Sequence, residues 1–466
     1  MENINMLKIS QIKHIHFIGI GGISMSGLAQ IMFDLNYNVS GSDIKPSYIT
    51  EKLEKKGIKV YTSHNEDNIK NLDLVVYTAA VKENNPELLR ARQLNIPTIE
   101  RSVLLGELSK IHDYSIAVSG THGKTTTTSM IAMILLEASL DPTIHIGGEL
   151  NVIGGTTKIG SNKYFVTEAC EYNEGFVQLD PYIGLILNIE EEHPDFFQSI
   201  EEIKNTFIKF ASQISKNGCL IACVDDPNTA SILDELSCNI ITYGMNSKKA
   251  EWTASDIKLN DKGCASFNLV KNNTIITNIS LNVPGIHNVN NSLAAIAAAD
   301  VLGCDLKHIE QGLFDFSGAS RRLELKGVIN DIKIIDDYAH HPSEIKVSLS
   351  TARNFCDSKI WCVFQPHTYS RTKAFLTNFS ESFNDADITI VTDIYAAREQ
   401  NHGDIHSITL SKKINLVGNK SLYISDFHSI VRYLQYNVSP GDVIITIGPG
   451  DIYKVGEMFL NGKNNQ

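Results

Sequence analysis

The chain has 466 residues, 42% apolar and 20% charged. At about 100–200 residues per domain, this describes roughly three ordinary globular domains. The formal charge of −12, with no basic tail or arginine stripe, excludes a nucleic-acid backbone as the main ligand, because phosphate binding of that kind needs clustered cations. Any phosphorylated ligand must be held by local backbone N–H groups and metal ions against an unfavourable overall field.

The opening MENINMLKISQIKHIHF lacks the long apolar core of a secretory leader. No run approaches the ~18 apolar residues of a membrane span. The eight cysteines are scattered, and the pairs Cys219/Cys223 and Cys356/Cys362 are not CxxC. These features predict a cytoplasmic chain with free thiols and no membrane partner.

Three times the sequence restarts with an apolar strand running into a glycine-rich or polar turn. The first is HIHFIGIGG (14–22), followed by helical periodicity through Leu28, Ile31, Met32 and Leu35. Strand-like runs recur at LDLVVYT (72–78) and IPTIE (96–100). The second start is YSIAVSG (114–120), with further strands at KYFVTEA, IGLILNI and GCLIACV. Alternation within 250–283 predicts an antiparallel patch, and an alanine-rich helix follows at Asn290–Leu302. The third start is IKIIDDY (332–338), continued by KIWCVFQP, ITIVTDIY and DVIITIGPG. Strands alternating with helices predict α/β domains with parallel sheets, bounded near 110 and near 320.

Gly120-Thr121-His122-Gly123-Lys124-Thr125 is a short P-loop, GxxGK[ST], between a predicted strand and a predicted helix. Its glycines let backbone N–H groups turn onto phosphate oxygens at a helix N-terminus. Lys124 then reaches the β/γ-phosphates, and the Thr125 hydroxyl is a candidate Mg2+ ligand. Glu168 directly follows one strand and His193 follows the next. In a doubly wound sheet, neighbouring strands deliver such residues to one edge. Glu168 with Thr125 suits Mg2+; His193 is a candidate for phosphate or a second ion.

Gly19-Ile-Gly21-Gly22-Ile23-Ser24 resembles a dinucleotide fingerprint with serine at its third key position, and Asp43 supplies an acid about 20 residues on. A diphospho-sugar site, an NAD site and a glycine turn made for packing alone all fit that pattern.

Four segments together resemble the Mur ligase family: GTHGKTTTT, EACEYN with NIEEEHPDFF, PGIHNVNNSLAA, and SRRLE with DDYAHHPSE. GIGGISMSGLA with Asp43, FQPHTYSRT, DIYAAREQN and IGPGDIYK look like its alanine-adding branch. The resemblance runs from about residue 14 to 457. It implies three domains: an N-terminal Rossmann-like domain (1–110) for a UDP-sugar, a central P-loop ATPase domain (111–320), and a C-terminal Rossmann-like domain (321–466) that receives an amino acid. The implied reaction is ATP-dependent ligation of L-alanine to UDP-N-acetylmuramate through an acyl phosphate. Two Mg2+ ions assist it, and the enzyme is a monomer or homodimer.

By matching positions, Lys124, Glu168, His193, Arg322 and Asp337 are implied catalytic residues. Gly120 to Thr126 with Asn288, Asn291, Arg322 and Asp337 are implied to bind ATP. Gly19, Gly21, Gly22, Ile23, Ser24, Asp43, Thr78, Ala79, Ala80 and Val81 are implied to bind the UDP-sugar. The carbamylated lysine of sister ligases falls at Ile208 here, with Lys204 and Lys209 out of register, as in the alanine-adding branch. PHRYTRT of many members reads His367-Thr368-Tyr369-Ser370-Arg371-Thr372, losing one arginine at Thr368.

That loss leaves Arg371 as the expected grip on the alanine carboxylate, with Tyr338 walling the pocket. His340 and His341 are candidate bases for the amine proton. The alternatives are a related ligase that attaches a murein tripeptide to the same sugar, an NAD-dependent oxidoreductase, and a catalytically silent nucleotide-binding scaffold.

Overall fold

The computed structural model describes residues 12–462 except Arg398. The first eleven residues, part of the stretch examined for a leader, lie outside it. Three sheets account for the three strand restarts. The first is parallel throughout, with strand order Lys59–Tyr61, Asn38–Ser42, His14–Ile18, Leu74–Tyr77 and Thr98–Glu100. Helices cover parallel sheets on both faces, so their strands read as unbroken apolar runs. His14–Ile18 is buried at four of its five positions.

The second sheet has ten strands. Its parallel centre places Tyr114–Ser119 between Ile183–Ile186 and Tyr164–Glu168. The antiparallel patch expected over 250–283 is present as Trp252–Leu259, Cys264–Lys271 and Thr274–Pro284. It is no separate unit, because Tyr243 pairs with Trp252 and the patch extends the same sheet. The alanine-rich helix begins three residues earlier than expected, spanning His287–Val301. Its small side chains let it pack deep in the core beside the helix Lys124–Glu137 that follows the P-loop.

In the third sheet the strands run Glu324–Ile329, Ile332–Asp337, Val443–Ile447, Ile360–Phe364, Ile388–Val391 and Ser421–Tyr423. Only the first is antiparallel to its neighbour. Among the described residues, no helix is long and apolar enough to cross a membrane.

Hydrogen bonds join the three bodies. Tyr48 Oη donates to Glu149 (3.3 Å) and Lys52 Nζ to the Gly154 carbonyl (2.8 Å), tying the first sheet's helix to the central body. Arg371 pairs with Glu192 between the central and third bodies.

The helix Leu306–Asp315 lies against the P-loop helix through Gly312. A Cβ there would sit 2.7 Å from Ile134 Cα and 2.9 Å from its backbone nitrogen, atoms that cannot swing aside. Gly312→Ala is expected to destabilise the central domain by about 1–3 kcal/mol, read from denaturant unfolding, because one helix must move off the other.

Candidate functional site

The strand Tyr114–Ser119 ends in the loop Gly120–Gly123, and the helix starts at Lys124. Gly120 and Gly123 have φ of 136° and 82°. Space excludes a side chain at both as well. A Cβ on Gly120 would meet Leu187 Cβ at 2.9 Å, and one on Gly123 would meet Asn291 Oδ1 at 2.8 Å. The expected phosphate cradle is therefore built in backbone.

Lys124 is folded back over that loop. Its ammonium donates to the Thr121 carbonyl (3.1 Å), to the Gly120 carbonyl, and to both oxygens of Glu171 (3.0 and 3.3 Å). Burial opposes its charge, but Glu171 outweighs burial and raises its pKa. Glu171 is itself buried and was absent from the sequence-based set. The signal was available: it is the second acid of EACEYN, on the same strand-end loop as Glu168.

Glu168 and His193 line one large cavity with Lys124 and Thr125, as the strand-end argument predicts. Glu168 Oε1 accepts from the Gly147 amide at 2.6 Å, which aims the carboxylate. The His193 ring is tilted against Tyr172, centroids 4.8 Å apart, and its Nε2 lies 3.7 Å from Glu171 Oε1. Burial lowers the His193 pKa, leaving a neutral ring with a lone pair to donate. A threonine hydroxyl, two carboxylates and a neutral imidazole facing a phosphate loop are donors suited to hard divalent cations. Lys204 and Lys209 pair with Glu201 and Glu174, and neither lines this cavity.

A second cavity, of about 380 Å3, opens on the other side of the loop. His122, Gly123, Thr125 and Thr126 form one wall; Asn288, Asn291, Arg322 and Asp337 are among its other polar lining residues. Tyr243, Met245, Pro284 and Phe316 provide apolar surface wide enough for a planar base. Asn291 Nδ2 donates to Asn288 Oδ1 at 3.0 Å, so the two asparagines act as a unit. Asp337 accepts from the Leu323 and Ala339 amides, both at 2.7 Å; burial raises its pKa to about 6 despite Arg322.

The N-terminal glycines behave partly as expected. Gly19 (φ 83°) lies against Thr78, and Thr78 to Val81 form a turn closed by a 2.9 Å bond from the Val81 amide to the Thr78 carbonyl. Asp43 spends Oδ2 on the Gly21 amide at 2.9 Å, so in this structure it shapes the loop. Gly22 and Ile23 are exposed at the loop tip, and Ile23 reaches the large cavity. Ser24 receives a bond from Arg101 (2.9 Å) and contacts His145 of the central sheet (2.8 Å). Arg101 and His145 carried no sequence motif, and both bring polar groups to the turn.

The third body contributes Tyr338 and His340 to the large cavity, which measures about 830 Å3 and is lined by all three bodies. Tyr338 lies against the Arg321 and Arg322 guanidiniums, at 5.2 and 5.1 Å. Geometry separates the two candidate bases. His340 is half-buried, its Nδ1 bonds to the Tyr338 carbonyl at 3.1 Å, and desolvation drops its pKa to about 4. His341 turns away to cap the helix Pro342–Arg353 and to contact the Glu191 carbonyl.

Arg371 differs from expectation. It does not line the cavity, and its fork grips Glu192, with Nε donating to Oε1 at 2.9 Å. Its remaining nitrogen contacts His367. Burial would raise the Glu192 pKa, but Arg371 holds it far below the usual carboxylate range. An ion pair this buried leaves no nitrogen for a substrate carboxylate while the domains stay closed. Thr368, where an arginine was expected, donates to Glu399 at 2.6 Å.

Known proteins resemble the chain along nearly its whole length. Residues 14–112 match the family described as "Mur ligase family, catalytic domain", 118–299 the "Mur ligase middle domain" and 321–450 the "Mur ligase, glutamate ligase domain". A UDP-N-acetylmuramate–L-alanine ligase of Acetivibrio thermocellus is 59% identical over 99% of both chains. One from Clostridium tetani is 50% identical over 97% of this chain and 99% of its own. The crystal structure of the Thermotoga maritima UDP-N-acetylmuramate–alanine ligase superposes with a TM-score of 0.83 at 30% identity, covering 97% of this chain and 99% of that one. A murein peptide ligase from Psychrobacter arcticus gives 0.75 at 26%, with the same coverage.

His122 offers a pH test. Burial would lower its pKa, but Glu344 and Glu190 raise it from 6.5 to about 10. The stability it adds is complete below pH 6.5 and is lost as pH rises through about 10. Glu190 falls from 4.5 to about 2, so its share is complete above pH 4.5 and is lost as pH falls through about 2. The melting-temperature gap between wild type and His122→Gln should be widest at pH 4.5–6.5 and shrink towards pH 10. A gap that stays constant from pH 6.5 to 10 would mean the ring carries no charge.

Proposed function

This chain belongs to the Mur ligase family and joins L-alanine to UDP-N-acetylmuramate at the expense of ATP, a step of peptidoglycan synthesis; we propose that the reaction takes place in the cavity shared by its three sheets. The observation that carries this reading is the meeting of Lys124, Glu168 and His193 with Tyr338 and His340 around one space. We read residues 1–110 as the UDP-sugar domain, 111–320 as the ATPase domain and 321–466 as the amino-acid domain, working in the cytoplasm. At 59% identity to an alanine ligase, against 26% to a murein peptide ligase, alanine is favoured over tripeptide as the amine.

A carboxylate resists amide formation because resonance stabilises it and the incoming amine is protonated. ATP removes the first obstacle. Its base lies among Tyr243, Met245 and Phe316, with Asn288 and Asn291 at its edge, and its phosphates lie on the amides of Gly120 to Thr126. Gly19, Gly21, Gly22, Ser24 and the turn Thr78–Val81 hold the UDP moiety and deliver the muramate carboxylate to the γ-phosphate. A carboxylate oxygen bonds to phosphorus as the bond to ADP breaks, giving an acyl phosphate. Lys124 and Arg322 spread the charge of that transfer, which depends mainly on alignment and neutralisation. Glu168 and Thr125 would hold one Mg2+, and His193 with Glu171 a second; the ions supply further neutralisation of phosphate charge.

L-alanine then attacks the acyl carbon as its free amine. We assign Nε2 of neutral His340 as the acceptor of the amine proton, because His340 lines the cavity and its Nδ1 is committed to a carbonyl. The tetrahedral adduct collapses with loss of phosphate. Tyr338 limits the amine substrate to a small side chain. Exclusion of water by the closed third domain protects the acyl phosphate.

ADP release should require UDP-N-acetylmuramate and L-alanine together, and Lys124→Ala should abolish it while UDP-sugar binding persists. Release that proceeds in folded Lys124→Ala overturns the assignment of the loop. Glu168→Gln should shift the Mg2+ activation curve to higher concentration, with partial recovery at excess Mg2+. An unchanged curve would reduce Glu168 to a strand-end cap.

A further inference from the structure

At the edge of the nucleotide cavity, His122 and Glu190 of the central body face His341 of the third. One donor atom from each lies within 4.8 Å of the other two. We propose that these three side chains form a binding site for a late first-row divalent cation of the zinc class, bridging the phosphate loop to the C-terminal domain.

The spacing is that of a coordination shell. Glu190 Oε2 is 3.5 Å from His122 Nε2 and 3.6 Å from His341 Nδ1. Ligands about 2.0–2.1 Å from a tetrahedral zinc ion stand roughly 3.3 Å apart. Two imidazoles and one carboxylate are also a common protein ligand set for this ion. The ligands come from three segments: the P-loop, the loop after Ile183–Ile186, and the cap of Pro342–Arg353.

The far sides of both rings are already committed. His341 Nε2 lies 3.1 Å from the Glu191 carbonyl, which fixes the proton on that nitrogen. Its Nδ1 accepts from the Ser343 amide at 3.4 Å, so the lone pair points inward. His122 Nδ1 lies 3.2 Å from Glu344 Oε1, a carboxylate–histidine arrangement that leaves Nε2 facing Glu190. Metal-ligating histidines are oriented in this way, by a carbonyl or carboxylate on the other ring nitrogen.

Ser343 supplies the last element. Its Oγ contacts Glu190 Oε2, lies 2.7 Å from His341 Nδ1, and is 3.4 Å from His122 Nε2. Its hydroxyl proton goes to Glu190 Oε2, while the His122 ring, held protonated by Glu344 and Glu190, directs Nε2–H at the same carboxylate. A cation takes the place of that ring proton, and a small swing of the Ser343 side chain opens its position. The nucleotide cavity, lined by His122, Glu190 and Ser343, gives the ion a way in. Because the ligands come from both sides of a domain boundary, the bound ion ties the C-terminal domain to the phosphate loop.

The test uses the full chain without nucleotide or Mg2+. Co2+ should give the visible bands of a tetrahedral site with nitrogen and oxygen donors, and Zn2+ should displace it in calorimetry. His341→Asn and Glu190→Gln should each weaken Zn2+ binding about tenfold or more, with folding checked by circular dichroism. Glu168→Gln, which alters the phosphate side, should leave the Zn2+ affinity as it was. The proposal fails if wild type shows no tetrahedral cobalt spectrum, or if the spectrum carries the thiolate charge-transfer band of cysteine ligation. It also fails if both folded cluster variants bind Zn2+ like wild type, or if Glu168→Gln abolishes the binding.

Discussion

A guanidinium and a carboxylate, each about 5% exposed, hold the active arrangement together across a domain boundary. Removing two such charges from water is costly, and the attraction repays it only when every remaining hydrogen-bonding position is filled. Here both partners have further bonds. Glu192 Oε1 also accepts from the His193 amide at 2.9 Å, and the last Arg371 nitrogen meets His367. His193 follows Glu192 directly and has φ of 52°, a conformation that needs outside support. Seating the third sheet and setting the angle of His193 are therefore one event. Breaking one half of such a pair costs about 3–5 kcal/mol, enough to couple closure to site assembly.

The site's cations show a related economy. Lys124 rests on Glu171, Arg321 on Asp336, and Arg322 near Glu344. An acidic protein cannot leave positive charge bare in a half-buried cleft without losing its solvation. A phosphate entering this cleft exchanges partners with carboxylates already in place. In the proposed reaction, the ammonium of Lys124 has only to turn from Glu171 to the nucleotide, because the loop beneath it is already formed.

Much of this was legible in the sequence wherever a local rule forced the residue type. The P-loop demanded glycines at two left-handed, crowded positions, and the strand-end rule put Glu168 beside His193. The missing pieces depend on distant partners. Ser24 meets His145 across 121 residues, and Arg371 meets Glu192 across 179. An arginine in a motif looks the same whether its carboxylate belongs to a substrate or to the protein, so the motif alone does not show that Arg371 meets Glu192. Among the strands, Thr143–Leu150 was hidden by its paired glycines and Ser421–Tyr423 by its length. The antiparallel strands were recognised by alternation, but nothing local announced that they extend the parallel sheet.

His122, Gly123 and Thr125 are a party wall between the two cavities, with the proposed nucleotide-base side on one face and the proposed reacting groups on the other. A synthetic compound with one arm in each room would press on the same few backbone atoms from both directions. A substitution that evicted it there would disturb the atoms that seat the phosphates. Escape from such an inhibitor through this segment would carry the loss of the enzyme's own activity, and resistance would have to arise elsewhere.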